Sequence, residues 1–186
     1  SKKNSSVILK NSFLEFRDLS HIFISFKKKI DKLKKNSYAV AVSGGPDSLA
    51  LAALSKAYSY HKKTNFKYVL VNHNIRKNSL AEARKVKKIL YKLKINLVII
   101  SNTKKIDKNI QSNARKIRYK ILSDFCVKNK IKYLLTAHNL EDQVETFFIR
   151  LSRGSGLKGL SSMRELSKLN NSLKLFRPLL DIKKRQ

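Results

Sequence analysis

The 186-residue chain is poor in several residue types, and each shortage excludes a class of protein. Its one cysteine, Cys126, allows no internal disulfide and no CxxC pair, so we expect a reduced, cytoplasmic setting. No apolar run approaches the roughly 18 residues that a membrane-spanning helix requires, and the sequence predicts no membrane partner. No charged segment followed by an apolar one opens the sequence, so no secretory signal is visible.

Acidic residues are also scarce, since 12 Asp and Glu stand against 42 Lys and Arg and the formal net charge is +30. Such a charge attracts polyanions. Because the lysines are spread along the chain and do not form one amphipathic anchor, nucleic acid is a better candidate partner than a membrane. A basic surface that is only solvated is the alternative, which salt-dependent binding would test.

A hydrophobic content of 42% is enough for one globular domain with a sizeable core. Short β-rich runs at 38–42, 67–72, 96–100 and 132–137 alternate with helical segments at about 47–62, 79–94, 108–129 and 140–151. The runs are continuously apolar, as in strands that are covered on both faces. This order predicts an α/β, doubly wound, mainly parallel sheet of about five strands with helices on both faces.

The ends of the chain differ from this repeating pattern. Residues 1–37 are predicted to form a polar segment and an amphipathic helix, from about 13 to 35, that packs on the core. The α/β domain is expected over 38–180, with one more strand within 173–180, and 181–186 form a basic tail. Two helix starts are also predicted: Pro46 suits a first turn, and Ser79 with Glu82 matches a capping box.

The sharpest turn of the chain, SGGPDS at 43–48, contains no lysine or arginine. Gly44 and Gly45 let the backbone approach a ligand closely, and the helix that follows points its first N–H groups into the same space. The hydroxyls of Ser43 and Ser48 add to this, so the segment is a candidate anion cradle. A tight turn with an Asp or Ser cap is the structural alternative.

Asp47 argues for more than a turn, because a carboxylate repels a phosphate unless a divalent cation lies between them. The loop also follows the first strand of the α/β series, where such folds bind ligands. It is neither a Walker A loop nor a GxGxxG loop. Alternatively, Asp47 is only an acid in the first turn of a helix, where its interaction with the helix dipole stabilises the fold by less than about 1 kcal/mol.

SGGPDS resembles the SGGxDS signature of the PP-loop ATP pyrophosphatases, which cleave ATP between the α- and β-phosphates. Further segments resemble, in order and spacing, the N-terminal catalytic domain of one group in that family, the tRNA(Ile)-lysidine synthetases. These segments are VNHNIRKNS (71–79), SNARKIRY (112–119), TAHNLEDQVETFFIRLSRGSGLKGL (136–160) and FRPLL (176–180). Asn139 and Glu141 depart from the usual histidine and aspartate. The group commonly carries further C-terminal domains that help to grip tRNA. We expect none of them in this sequence, which leaves open whether it is a fragment or an active minimal form.

The resemblance implies a reaction. ATP, with Mg²⁺ as its metal, activates the C2 oxygen of the wobble cytidine of an isoleucine tRNA with a CAU anticodon and releases pyrophosphate. The ε-amine of free L-lysine then attacks C2, expels AMP and yields lysidine. The oligomeric state is not decided by the sequence, and a homodimer stays open.

For the nucleotide, the cofactor-binding candidates are Ser43, Gly44, Gly45, Pro46, Asp47, Ser48, His73 and Arg118. Backbone N–H groups of 44–48 would hold the pyrophosphate half, and Asp47 would be both the metal ligand and a catalytic residue. Arg115, a catalytic candidate, shares a helix face with Arg118, so the two could clamp phosphate or the leaving AMP. His73 and Arg76 are placed near the base or ribose.

For lysine, the catalytic candidates are Asp142 and Glu145, three residues apart on one helix. An ammonium with a pKa of about 10.4 needs anionic partners to bind it and a base to free its lone pair. Asp142, Glu145 and His138 stay open as that base, while Asp142 as a mere helix cap is the structural alternative. Arg150 and Arg153 are candidates for tRNA contact, although solvated arginines fit their pattern equally well.

Three rival functions stay in view. A tRNA thiolase normally needs cysteines, and only Cys126 is present. An ammonia-using synthetase normally has a glutaminase, yet no nucleophilic cysteine motif is found. A non-catalytic basic tRNA-binding module would explain the charge and leave SGGPDS without a role.

Overall fold

The computed structural model describes residues 17–35, 37–103, 109–156, 161 and 163–184. The helices are α1 (Arg17–Lys32), α2 (Pro46–His61), α3 (Ser79–Lys92), α4 (Ile110–Lys128) and α5 (Leu140–Ser152). The strands are β1 (Ser37–Ala41), β2 (Asn65–Asn72), β3 (Leu97–Ser101), β4 (Tyr133–Leu135), β5 (Leu166–Lys168) and β6 (Lys174–Phe176). The first part of the predicted helix at 13–35 lies outside the described residues.

The strands form one sheet in the order β3-β2-β1-β4-β6-β5. Every neighbouring pair is parallel except β5 and β6, which are antiparallel. The chain runs outward from β1 to β3 and then returns to β4 on the other side of β1. The doubly wound α/β prediction is therefore confirmed, and the switch point where such sheets bind ligands lies between β1 and β4.

The sheet has six strands where about five were predicted, and the additional one is β5. Its three residues are mostly exposed, so no hydrophobic pattern marks it. It is held by pairing with β6 and by the turn between them, in which Asn170 Oδ1 accepts the backbone N–H groups of Ser172 and Leu173. Pairing of this kind is a tertiary effect that a three-residue sequence window does not reveal.

Both faces of the sheet are covered, which explains the continuous apolar runs. On one face, Tyr38 and Val40 of β1 pack with helices α1, α2 and α3. On the other, Ala39 packs with Leu122 and Cys126 of α4. Alternate residues of one strand thus enter two separate cores, so all of them have to be apolar. No described helix has the length and apolar character needed to cross a membrane.

The two predicted helix starts have opposite outcomes. Pro46 is the first residue of α2, as predicted. The capping box at Ser79 and Glu82 was wrong, because the N-cap of α3 is Asn78 and no side chain caps this helix. Ser79 is already helical, and the Glu82 N–H donates to the Asn78 carbonyl oxygen.

Candidate active site

A cavity of about 340 Å³ lies beyond the carboxyl ends of β1 and β4, at the switch point of the sheet. One wall is the loop 43–48 between β1 and α2, and the facing wall is the segment 136–142 between β4 and α5. Residues from the ends of β2 and from α4 line the remaining side. Segments far apart in sequence meet here because parallel strands bring their carboxyl ends to one edge.

Ser48 organises the loop wall. Its hydroxyl is buried, accepts the backbone N–H groups of Ser43 and Gly44 at 3.2 and 3.1 Å, and donates to the Gly45 carbonyl at 2.8 Å. The Gly44 N–H is thus already bonded, and Pro46 has none to offer. The first-turn N–H groups of Asp47 and Ser48 make no hydrogen bond within the part of the chain that the structure describes, so they are the donors left for an anion.

The two glycines of the loop are required for different reasons. Gly44 has a φ of +92°, and a Cβ placed on it would lie 3.0 Å from Cγ2 of Val86 in α3. The fold itself therefore needs glycine at 44. Gly45 has a φ of −74°, and its nearest neighbour for an added Cβ is Ser43 Oγ at 3.7 Å. Neither its backbone nor its packing requires glycine, yet it lines the cavity, which indicates that a ligand comes close there.

Asp47 and Asp142 enter the cavity from opposite walls. Among the described residues, the Asp47 carboxylate has neither a hydrogen bond nor an ion pair. Asp142 instead forms a capping box with Asn139: its Oδ2 accepts the Asn139 N–H at 2.9 Å, and its own N–H donates to Asn139 Oδ1 at 3.0 Å. The structural alternative for Asp142 is thus present, in addition to its place in the cavity.

Arg118 supplies positive charge to the cavity without a counter-ion. It lines the cavity and makes no hydrogen bond or ion pair with any described residue. Burial lowers the pKa of its guanidinium, and the nearby Arg115 lowers it further. Burial, followed by the charge of Arg118, lowers the pKa of His73, whose buried Nδ1 has no partner. Arg118 is only partly buried, and its guanidinium lies 5.7 Å from the Tyr119 ring centroid, so it has an aromatic neighbour but no anionic one. A cation that is partly removed from water and lacks a counter-ion favours the binding of an anion.

His138 lies in the facing wall, with Nδ1 2.9 Å from Thr136 Oγ1. Burial is the main cause that lowers its pKa to about 4, with the charge of Arg177 next and Asp142 acting in the opposite direction. The imidazole is therefore neutral at pH 7, with one ring nitrogen that can donate a hydrogen bond and one that can accept it.

Arg177 was not assigned a role from the sequence, although it lies in the quoted FRPLL segment. Its side chain is buried, and one terminal nitrogen donates to the Arg164 carbonyl at 2.8 Å and to Ser167 Oγ at 3.0 Å. Thr136 and Tyr119, which line the cavity, were also missed. Both stand at the ends of quoted motifs, which was the available signal.

The cavity brings together most of the predicted site residues. Those that line it are Ser43, Gly45, Asp47, Ser48, His73, Arg118, His138 and Asp142. The lining does not include Gly44, Pro46, Arg115 or Glu145. Arg115 is exposed, and its guanidinium lies 5.2 Å from the ring centroid of Tyr119, which lines the cavity. Glu145 is exposed as well, one turn beyond the part of α5 that reaches the cavity.

The donor set fits a magnesium ion that a nucleotide brings with it. No group of three or more His, Cys, Asp or Glu is placed to hold a metal in the described ranges. Mg²⁺ typically takes only one or two carboxylates and completes its shell with phosphate oxygens and water. Asp47, whose carboxylate is uncommitted, satisfies that requirement.

Comparison with known proteins gives a family match over most of the chain. A family model described as a PP-loop domain matches residues 19–186. The tRNA(Ile)-lysidine synthase of Wolbachia pipientis wMel is 46% identical over 149 residues, which are 78% of this chain and 34% of the relative. That of Bradyrhizobium diazoefficiens is 34% identical and matches 95% of this chain and 48% of the relative. The chain thus spans about a third to a half of the length of these curated relatives.

A solved structure shares the fold. The U34-tRNA thiolase NcsA from Methanococcus maripaludis, which holds a 4Fe-4S cluster, superposes with a TM-score of 0.74 at 24% identity. The match covers 89% of this chain and 59% of the thiolase chain.

Proposed function

This chain belongs to the PP-loop domain family, and on that premise we propose that it is the ATP-using part of a tRNA(Ile)-lysidine synthase. It binds ATP on the loop 43–48, adenylates the wobble cytidine of an isoleucine tRNA with a CAU anticodon, and joins lysine to the activated base. The proposal rests mainly on the facing walls of the cavity, because one presents the uncommitted Asp47 and the other presents Asp142 and His138.

The reaction has two balanced steps. First, the C2 oxygen of cytidine forms a bond to the α-phosphorus of ATP while the bond from that phosphorus to the bridging oxygen breaks, and pyrophosphate leaves. Second, the ε-ammonium of lysine loses a proton, its nitrogen bonds to C2, and the C2–oxygen bond breaks with both electrons leaving on AMP, after which the nitrogen releases a second proton. The products are lysidine in the tRNA, AMP and pyrophosphate.

The loop wall serves the first step. The free N–H groups of Asp47 and Ser48 and the positive end of α2 bind the leaving pyrophosphate. The absence of a side chain at Gly45 allows the phosphates to approach the backbone. When Mg²⁺ is bound with the nucleotide, Asp47 would hold it, and its charge would stabilise the transferring phosphate. Arg118, which has no counter-ion, is a natural partner for the α-phosphate or the leaving AMP.

The facing wall serves the second step. The Asp142 carboxylate keeps lone pairs beyond the one that accepts the Asn139 N–H, so it can attract the lysine ammonium. His138 is neutral at neutral pH because of its lowered pKa, so it can accept a hydrogen bond from the ammonium, but the same lowered pKa makes it a poor base for that group. We therefore assign the removal of the proton to the Asp142 carboxylate, which passes it to solvent. Glu145 lies outside the cavity lining, so we give it no direct role in this mechanism.

The test is to incubate the chain with ATP, Mg²⁺, radiolabelled lysine and an isoleucine tRNA transcript that carries the CAU anticodon. Label should enter the RNA in step with pyrophosphate release. A transcript whose wobble cytidine is replaced by uridine should give neither. Tight RNA binding without pyrophosphate release would contradict the proposal and favour a non-catalytic basic module.

The thiolase alternative is disfavoured by the one cysteine of the chain. Cys126 of α4 is fully buried in the core, and burial raises the pKa of its thiol to about 12. A protonated thiol without access to solvent is neither a sulfur carrier nor a cluster ligand. The likeness to the thiolase structure therefore concerns the fold and not the sulfur chemistry.

A further inference from the structure

The outer face of α3 is strongly basic. Five of its fourteen residues are lysine or arginine, and Glu82 is its one acidic residue. Arg84, Lys88 and Lys92 are all exposed and follow one another at four-residue intervals, so they form a single row along the helix. We call these three residues the basic ridge. It spans about 12 Å along the helix axis, with a cation at roughly every 6 Å.

Contacts that stabilise the fold do not explain why these three residues are basic. None of them makes an ion pair or a side-chain hydrogen bond within the described ranges. Lys29 of α1 differs, since it bonds to Asp181 and to the Pro178 carbonyl. Like charges four residues apart destabilise an isolated helix by about 0.2–0.5 kcal/mol per pair. The repulsion within this row therefore slightly destabilises α3, and a bound polyanion would remove that repulsion.

An aromatic ring lies beside the ridge. Tyr91 is 76% exposed, the most exposed of the large hydrophobic side chains in the described chain. Viewed down the helix axis, Tyr91 lies between Lys87 and Lys88, so a ligand bound to the basic ridge can also contact its ring. Exposed aromatic rings flanked by cations are typical of surfaces on which nucleic-acid bases stack.

The ridge is also close to the candidate active site. Val86, on the inner face of α3, is the residue that a Cβ on Gly44 would touch at 3.0 Å, so α3 packs directly behind the nucleotide loop. Arg84 and Lys88 flank Val86 in sequence on the opposite, outer face. A backbone bound on the ridge would therefore lie about one helix diameter, roughly 10–12 Å, from that loop.

We propose that the basic ridge of α3, with Tyr91 beside it, binds the sugar–phosphate backbone of the RNA substrate. This rests on the proposed function for the identity of the RNA, but not for the existence of the surface. The ridge carries charge without base-reading geometry, so it positions the RNA and does not select its sequence. The partner chemistry is a polyphosphate chain with accessible bases, and a merely solvated lysine face is the competing outcome of the test.

The experiment measures binding of the CAU-anticodon isoleucine tRNA over a range of KCl concentrations, from about 50 to 300 mM. The ridge variant is Arg84→Gln, Lys88→Gln and Lys92→Gln together, since glutamine keeps helix propensity. The matched control is Lys28→Gln, Lys32→Gln and Lys35→Gln, which removes three exposed charges near the end of α1 that leads to the amino end of β1.

The ridge variant should make the slope of log K against log salt shallower by about 2–3, because each phosphate contact contributes about 0.7–0.9. The control should change the slope by less than about 1. Tyr91→Ala should weaken binding by about tenfold at an unchanged slope, while Tyr91→Phe should bind like the wild type. Equal slopes for the ridge variant and the wild type would overturn the proposal.

The two proposals fail in different ways. A wild-type chain that forms no lysidine, with a ridge variant that still loses slope, would remove the proposed function and keep the RNA surface. Lysidine formation by the wild-type chain, together with an unchanged salt slope in the ridge variant, would keep the proposed function and remove the RNA surface. Absence of tRNA binding by the wild-type chain would remove both.

Discussion

The two walls of the cavity have the same local plan but use their aspartates differently. Each is a strand, a short loop and a helix, and each has an aspartate in the first turn of its helix, Asp47 in α2 and Asp142 in α5. Asp142 accepts the Asn139 N–H and so helps to start its helix. Asp47 has no such partner in the described structure, because Ser48 holds the loop together instead.

This difference distinguishes an aspartate that the fold requires from one that is available to a ligand, although both lie in the first turn of a helix. The loop 43–48 would keep its hydrogen bonds without the Asp47 side chain, so the carboxylate is available for an outside partner. The segment 139–142 would lose its capping box without Asp142. A substitution in the first wall should therefore affect chemistry more than stability, and one in the second wall should affect both.

The largest effect should come from Asp47→Asn, which removes the charge and keeps the shape. We expect pyrophosphate release to fall about a thousandfold, equivalent to about 4 kcal/mol of lost transition-state stabilisation by a magnesium nucleotide. The free energy of unfolding should change by less than about 1 kcal/mol, because an acid in the first turn of a helix contributes no more than that to stability. Steady-state pyrophosphate assays and urea unfolding measure the two quantities.

The matched control for that prediction is Glu82→Gln. Glu82 is also a first-turn acid, at the start of α3, but it lies outside the cavity lining. It should release pyrophosphate at the wild-type rate. Full activity in Asp47→Asn would refute a metal-binding role and leave Asp47 as an ordinary helix acid.

The next effect contrasts the two adjacent glycines of the loop wall. Gly44→Ala should destabilise the fold by about 1–3 kcal/mol, because alanine is strained at a φ of +92° and its Cβ meets Val86. Gly45→Ala should keep its stability within about 1 kcal/mol, since its backbone suits alanine. It should nevertheless weaken ATP binding at least about tenfold, a change of about 1.4 kcal/mol in binding free energy that isothermal titration calorimetry would record.

Adding Val86→Ala to Gly44→Ala sharpens this comparison. The double variant loses the contact with Cγ2 but keeps the strained φ, so it should recover only part of the lost stability. If Gly45→Ala bound ATP as tightly as the wild type, the cavity in front of this loop would not be the phosphate site.

Much of the fold could be predicted from the sequence because the central strands β1, β2 and β4 are buried on both sides. Val40 and Ala39 point into different cores, which forces a continuous apolar run that is visible without a structure. The position of the site followed from topology, since the ends of β1 and β4 have to meet at the switch point. What remained hidden depends on tertiary contacts, as with β5, whose exposed residues are ordered only by pairing with β6.

The prediction of the site residues was limited by features that depend on the folded structure, such as how far along α5 the cavity reaches and which conformation the loop 43–48 adopts. Asp142 and Glu145 are three residues apart and share a helix face, yet only the first turn of α5 reaches the cavity. The sequence also gave no reason to separate Gly44 from Gly45, because the difference lies in one dihedral angle and in the distance to Val86. The effect of the Arg177 charge on the pKa of His138 acts between residues 39 apart in sequence, which no local pattern reveals.

The smallest effect concerns the second wall and its dependence on pH. The pKa of His138 is lowered in the fold to about 4 from its ordinary value of 6.5, so the unfolded chain binds more protons between these values. Folding stability should therefore rise as the pH increases from about 4 to 6.5 and be fully present above that range. In the variant His138→Gln, which has no imidazole, the free energy of unfolding should rise over this pH range by about 1–2 kcal/mol less than in the wild type. The difference is this small because the group is only partly buried.

Urea unfolding at several pH values measures this difference between the two chains, because the titration of the carboxylates is common to both. Asp142 raises the pKa of His138, so the same comparison in an Asp142→Asn background should give a steeper loss of stability at low pH. Asparagine keeps an oxygen that can accept the Asn139 N–H, so the helix start is preserved. Identical pH profiles with and without His138 would mean that the second wall is solvated, and that His138 titrates at its ordinary pKa.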